Sequence, residues 1–316
     1  KPLGLNGKSI NNNGKPPIAI EPGFVGGKTS IDGSVSSQFI SSLLIAGALS
    51  KKGLDLQVKG DFISKSYVAM TLDVMKSFGV EVETDLFTKH KHCSESDKKC
   101  ASTNFHLKSQ KYKATDYVVE GDYSSASYPL SAVAIAGGEI KINNLFKESK
   151  QGDKLILNIL EKMGCEIEIN EDNIVLKSNG KLKGINIDLS NAPDLLPTVS
   201  VLAAMANGKT RIHGVQHARY KETDRIAKCS EELKKLGCKL KEFEDGMEIE
   251  GGITSGIVDS HKDHRLAMAF SLIGLKHPIA IENGEVFSVS FPDYIDLMNK
   301  VGLELELVDK LDIKGV

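Results

Sequence analysis

Residues 191–214 read NAPDLLPTVSVLAAMANGKTRIHG. A polar cluster ending in Asp194 opens the stretch, an apolar run at helical spacing follows, and Gly208 stops it. The alternating residues TRIH then read as a strand. The same order recurs three more times. Ser36-Ser37-Gln38 precedes FISSLLIAGALSKKGLDLQVKG, Ser124-Ser125-Ala126-Ser127 precedes YPLSAVAIAGGEIKINNL, and Asp263-His264-Arg265 precedes LAMAFSLIGLKHPIAIEN. Each copy leads into a second, amphipathic helix that ends at a glycine, as at Gly79, Gly164, Gly237 and Gly302, with a strand such as CEIEI or LELEL expected after it. The unit is β-α-β-α-β(β), about seventy residues long, and a period of that size builds large supersecondary modules in an α/β chain. Residues 85–116 lengthen the first copy and read as an insertion.

The 316 residues suit roughly two domains. Forty Lys and Arg face 42 Asp and Glu, a formal net charge of −2, so no global field attracts nucleic acid or an acidic membrane. Trp is absent and aromatics are 6%, which argues against a stacking platform for single strands. No apolar run approaches the ~20 residues of a membrane span. Five cysteines at irregular spacings do not form a secreted disulfide framework, and a cytoplasmic setting is expected.

The polar clusters fall at helix starts, where free N–H groups and the helix dipole favour anions. Ser64-Lys65-Ser66-Tyr67, Gln151-Gly152-Asp153 and Lys221-Glu222-Thr223-Asp224-Arg225 fall at the starts of the second helices. Capping accounts for Ser and Asp there. It does not account for Lys221, Arg225 and Arg265, because cations are unfavourable in a first turn, so a negatively charged ligand is expected.

Six blocks, GSVSSQF (33–39), GDFISKSYVAMTL (60–72), VEGDYSSASY (119–128), YKETDRI (220–226), DHRLAM (263–268) and SFPDY (290–294), resemble in order those of the 5-enolpyruvylshikimate-3-phosphate synthases. The resemblance implies a two-domain enolpyruvyl transferase fold, an inside-out α/β barrel of repeated β-α-β-α-β-β units. Residues 1–119, with the insertion 85–116, would be the remaining part of an N-terminal domain. Residues 120–316 would be a C-terminal domain of three units. The rest of the first domain is expected upstream of Lys1.

The implied reaction adds the 5-hydroxyl of shikimate 3-phosphate to C2 of phosphoenolpyruvate and then eliminates phosphate, with no metal or organic cofactor. By resemblance Ser36, Ser37, Gln38, Ser64, Tyr67, Asp194, His217 and Lys221 contact shikimate 3-phosphate. Gln38, Arg225 and Arg265 contact phosphoenolpyruvate, and Asp194, Glu222 and His264 carry the catalysis, with Asp194 as general base. Paired guanidinium forks suit carboxylate and phosphate. The expected partners are these two small molecules, with no nucleic acid, no membrane, and a monomer as the acting species.

Three departures stand out. The family's usual Lys before the Phe-Pro stretch is Val289 here, the Asn common four positions before the motif Lys is His217, and the Asn often seen before Asp-His-Arg is Lys262. Val289 favours an alternative, a truncated or degenerate homologue that binds without turnover. The UDP-N-acetylglucosamine enolpyruvyl transferases lack the Lys-Glu-Thr-Asp-Arg block and are set aside. His90, His92, Cys93, Cys100 and His106 match no standard zinc spacing and read as a solvated, Lys-rich loop. Cys165, Cys229 and Cys238, beside the helix-to-strand stops, read as core residues.

Overall fold

In the computed structural model, residues 3–34, 36–60, 62–87 and 102–309 are described. The chain divides into two units, Lys1–Val118 and Val119–Val316.

The first unit begins with an antiparallel hairpin, β1 (Asn6–Ser9) and β2 (Ile18–Glu21), that sequence periodicity does not announce. One full repeat follows: β3 (Gly27–Asp32), α1 (Ser37–Ala48), β4 (Leu54–Lys59), α2 (Lys65–Ser77), β5 (Glu83–Thr84) and β6 (Ser102–Leu107). The sheet order is β3-β4-β6-β5, with β3 and β4 parallel and β6 antiparallel to both neighbours. In β4 the side chains of Leu54, Leu56 and Val58 turn inward against the helices while Gln57 and Lys59 face out.

The second unit holds α3 (Tyr123–Ala136), β7 (Gly138–Asn143), α4 (Leu155–Met163), β8 (Glu166–Ile169) and β9 (Asn173–Ser178), with sheet order β7-β9-β8. Next come β10 (Asn186–Asp188), α5 (Leu196–Met205), β11 (Thr210–His213), α6 (Arg225–Lys235), β12 (Lys239–Phe243) and β13 (Gly246–Gly251). Their order, β10-β11-β13-β12, reproduces that of the first unit's sheet strand for strand, parallel pair included. The last copy has β14 (Gly256–Asp259), α7 (His264–Ser271), β15 (Ile279–Glu282) and α8 (Tyr294–Lys300), with β14 and β15 parallel.

Helix composition decides layer. α5 has no charged residue and residues 196–204 are all buried. α3 is buried along most of its length, and α3, α5 and α7 belong to one continuous core. A helix without a polar face has to lie inside. α4 and α6 carry a polar face and flank this centre. In the first unit α1 leaves Phe39 and Ile45 exposed, and its C-cap Leu49 is exposed as well. Cys165, Cys229 and Cys238 are buried and free, as the sequence suggested. Among the described residues no helix is long and apolar enough to cross a membrane.

Three sequence expectations need correction. Residues 85–116 are not simply a solvated insertion, because Ser102–Leu107 is a central strand with Phe105 and Leu107 in the core. Its alternation sits inside a Lys-rich stretch that hides it. The LELEL run after Gly302 forms no strand, since Asn299's side-chain amide takes both the N–H and the carbonyl of Leu305 that a neighbouring strand would need. Finally, Lys221-Glu222-Thr223-Asp224 precedes helix α6; Asp224 caps it, and Arg225 is its first residue.

Gly53 shows how tightly β6 seats. It has φ +67°, and an added Cβ would stand 2.1 Å from the Leu107 carbonyl oxygen. Gly53→Ala is expected to destabilise the protein by about 2–4 kcal/mol, read from the urea midpoint, while Gly284→Ala, where nothing lies within 4 Å, stays near neutral. Equal midpoints for the two variants would contradict the central placement of β6.

Candidate active site

A helix that follows a strand starts where the strand ends, so parallel strands bring successive helix starts to one edge. β10 and β11 are parallel, which places Asp194, just before α5, and the segment 221–225 at a common end. β14 leads the same way into Asp263-His264-Arg265.

Arg225 stands at the centre of what results. Its side chain is 1% exposed. Nε donates to Asp263 Oδ2 at 2.8 Å and Nη2 to Asp263 Oδ1 at 3.3 Å. Nη1 donates to Asp194 Oδ1 at 2.8 Å, and Nη2 also to Glu222 Oε2 at 2.6 Å. Burial alone would lower the Arg225 pKa, but Asp263, Asp194 and Glu222 outweigh it and raise it.

Asp194 collects cations in turn. Besides Arg225, its carboxylate meets Arg265 Nη2 at 3.2 Å and Lys221 Nζ at 3.5 Å. Asp263 is fully buried, caps α7 through the Arg265 N–H at 2.9 Å, and accepts a bond from the Thr223 hydroxyl at 3.2 Å. Three cations and three carboxylates thus form one network in which both signs balance.

His217 and His264 border this network. His217 is buried on the 3-10 turn Gln216–Tyr220, and neither ring nitrogen has a partner among the described residues. Burial, then the Lys221 charge, lower its pKa against an opposing pull from Asp194, so the ring is neutral at pH 7. His264, half-buried at the start of α7, is likewise lowered, by burial and then by Arg265.

The remaining expected residues lie in the first unit, at the ends of the parallel strands β3 and β4. Ser36 caps α1 by accepting the Gln38 N–H at 3.2 Å; Ser37 is buried and Gln38 exposed. Ser64 precedes α2 in the left-handed region at φ 53°, and its hydroxyl does not cap the helix. Tyr67 lies in the first turn of α2, and its carbonyl accepts the Thr71 hydroxyl, which also bonds Ser41 of α1. A concavity of about 780 Å³ on this unit's sheet, lined by Lys28, Asp55, Lys59 and His106 among others, contains none of the expected residues.

Val289 is exposed just before α8 and contributes no charge. Lys262 is exposed with φ 60°. Of the candidate zinc ligands, His90, His92, Cys93 and Cys100 lie outside the described residues, while His106 sits on β6 and pairs with Asp55.

Sequence reasoning missed Asp153, which looks like a helix-start acid. It is 3% exposed; one carboxylate oxygen accepts from the Ser124 hydroxyl and the other, buried, has no partner among the described residues. Burial, then repulsion from Asp194, push its pKa up to about 6, against the Ser124 bond and the Arg265 charge.

Folded Asp153 therefore keeps its proton to about pH 6, while the unfolded carboxyl releases it near 3.8. The stabilisation is complete below the unfolded value and is lost as pH rises through about 6. Asp153→Asn, which cannot ionise, is expected to gain about 1–3 kcal/mol on the parent between pH 4 and pH 8 in urea unfolding. A stability difference that does not change with pH would rule this out.

Comparison with known proteins follows the same lines. The family model described as EPSP synthase (3-phosphoshikimate 1-carboxyvinyltransferase) matches residues 1–298. A 3-phosphoshikimate 1-carboxyvinyltransferase of Methanobrevibacter smithii is 64% identical over 306 residues, covering 97% of this chain and 70% of its own length. That of Methanothermobacter thermautotrophicus is 51% identical over 97% of this chain and 69% of its own. The solved EPSP synthase of Acinetobacter baumannii matches with a TM-score of 0.70 at 26% identity, over 96% of this chain and 69% of that one. With a family model across nearly all of its residues and relatives at this identity, the chain belongs to the EPSP synthase (3-phosphoshikimate 1-carboxyvinyltransferase) family.

Proposed function

We propose that this chain transfers the enolpyruvyl group of phosphoenolpyruvate to the 5-hydroxyl of shikimate 3-phosphate and releases phosphate. Family membership supports the activity. The observation that carries the assignment of residues is the Arg225-centred network, with the unpartnered ring of His217 beside it. A buried imidazole with both nitrogens unsatisfied is costly unless a ligand completes it. Here the ligand would bring hydroxyls and phosphate to His217, Lys221 and Asp194.

Both substrates are anions, so they compete with Asp194 for its cations. Lys221 turns to shikimate 3-phosphate, and Arg265 to phosphoenolpyruvate. Asp194 then faces the attacking 5-hydroxyl as general base, a role worth about 10²–10⁴ in rate. Arg225 reaches phosphoenolpyruvate by exchanging Glu222, whose side chain is half exposed, for substrate oxygen. Glu222, once released, takes up a proton from solvent and gives it to the methylene carbon, and the Glu222 carboxylate or neutral His264 takes a proton back from that carbon as phosphate leaves. Ser36, Ser37, Gln38, Ser64 and Tyr67 are assigned to shikimate 3-phosphate, with Gln38 also on phosphoenolpyruvate.

The compact units Lys1–Val118 and Val119–Val316 support a division into domains at residues 119–120. The helix-inside, sheet-outside layering of the second unit supports an inside-out α/β barrel. Nothing in the assignment needs a second copy of the chain, and a cytoplasmic monomer is the simplest acting species.

The test is phosphate release from phosphoenolpyruvate with and without shikimate 3-phosphate. Release that depends on shikimate 3-phosphate is expected, and Asp194→Asn should lower kcat by about 10²-fold or more. Arg265→Lys should instead raise KM for phosphoenolpyruvate, because an ammonium cannot replace the planar fork. A full-length protein that binds shikimate 3-phosphate yet releases no phosphate would favour the non-catalytic homologue.

A further inference from the structure

We infer that Glu232 and His261 form a positioning pair that fixes the Asp263-His264-Arg265 segment against α6. Its kinetic consequence rests on the transfer reading above; its structural consequence rests on the fold alone.

Glu231 and Glu232 are neighbours in sequence, but only Glu232 turns inward, and it is fully buried. It lies two helical turns beyond Arg225, on the same face of α6, about 10 Å along the axis. Its oxygens accept the His261 Nε2–H at 2.6 Å and the Asp259 N–H at 3.0 Å. Lys235 Nζ adds bonds at 2.7 and 2.9 Å, so the carboxylate's acceptor capacity is filled.

The chain that carries His261 is held on its other side as well. Asp259 Oδ1 accepts from the His261 N–H at 2.7 Å and from Asn283 Nδ2 at 2.8 Å. The Ser260 hydroxyl donates to the Asn283 carbonyl at 3.0 Å and accepts the Lys262 N–H at 3.2 Å. His261 and Lys262 both have left-handed backbones, φ 52° and 60°, a conformation that persists only where its surroundings enforce it.

Directly after this turn, Asp263 receives Arg225 from the start of the same helix. The segment is therefore tied to one rigid helix at two points. One tie would act as a pivot, whereas two also fix rotation, and with it the direction in which His264 and Arg265 leave α7. Neither Glu232 nor His261 reaches the substrates in this scheme; both act through Arg265.

A metal reading of the same atoms is weaker. Glu231, Glu232 and His261 offer ligand atoms within 4.8 Å of one another. Lys235, however, already sits on both oxygens of Glu232, and Lys228 bonds Glu231 at 2.8 Å. The lysines supply the cations, which leaves His261 as a tie.

The test uses His261→Gly in the full chain, since glycine keeps the left-handed turn while removing the tie. Amide exchange across residues 259–265 should quicken about tenfold as the local opening free energy falls. KM for phosphoenolpyruvate should rise about tenfold, with KM for shikimate 3-phosphate changed less than twofold, a split that general destabilisation would not give. Glu232→Gln, which keeps an acceptor for His261, should retain more of the phosphoenolpyruvate affinity than Glu232→Ala. Unchanged exchange in His261→Gly overturns the tie whatever the kinetics. Faster exchange with unchanged KM overturns its role in the reaction. If the full-length parent protein shows no turnover dependent on shikimate 3-phosphate, the transfer reading fails, and amide exchange alone still decides the tie.

Discussion

The second unit's chemistry depends on one contact, the fork of Arg225 on the buried carboxylate of Asp263. Neither charge reaches water, and removing one partner of such a pair typically costs about 3–5 kcal/mol because the other is left buried alone. Everything else at the site hangs from it. The remaining Arg225 nitrogens hold Asp194 and Glu222, while Asp263 also caps the helix that presents His264 and Arg265. The pair joins the helix starts of two successive repeats, so the site is assembled by the same contact that registers one module on the next.

Topology explains why such a contact can form. Where a repeat carries a parallel strand pair, as β3-β4 and β10-β11 do, the helices that follow those strands start at a shared edge. Natural caps occupy these starts: Ser36, Asp122, Asp224 and Asp263 each accept a backbone N–H in the first turn. Acidic caps are favourable there. Cations beside them are tolerated because the carboxylates compensate. The arrangement keeps several positive groups at one edge, in ion pairs that an anionic ligand can exchange.

Much of this was legible in sequence. The recurring Gly stops and apolar runs give the repeats, and the uncharged, largely apolar Leu196–Met205 stretch identifies a central helix because it carries no charged face for water. Legibility fails where the deciding partner is distant. The alternation in residues 303–308 matches that of β6, yet only β6 finds neighbours, β4 and β5. Asp263 reads as a cap; its hold on Arg225, thirty-eight positions earlier, is a tertiary fact. Glu231 and Glu232 look alike as surface acids of an amphipathic helix, and one step of about 100° around the axis separates the exposed one from the buried one. Asp153 likewise reads as a first-turn acid until the core closes over it.

The burial gradient within the network bears on how it works. Asp263 and Arg225 form its enclosed floor, at 0% and 1% side-chain exposure. Lys221, at 31%, and Glu222, at 47%, form its rim. Four of the five N–H groups of the Arg225 guanidinium are engaged, so a two-point grip on a substrate requires surrendering a carboxylate, and Glu222 is the one with most access to water. Val289 contributes no cation, and Lys221, Arg225 and Arg265 carry the positive charge that meets Asp194. On the proposed reading, substrate anions must draw Lys221 and Arg265 from Asp194. Filling the site and opening the general base to the hydroxyl then become one event, and the ion pairs that hold the free protein together keep its base covered until both substrates are present.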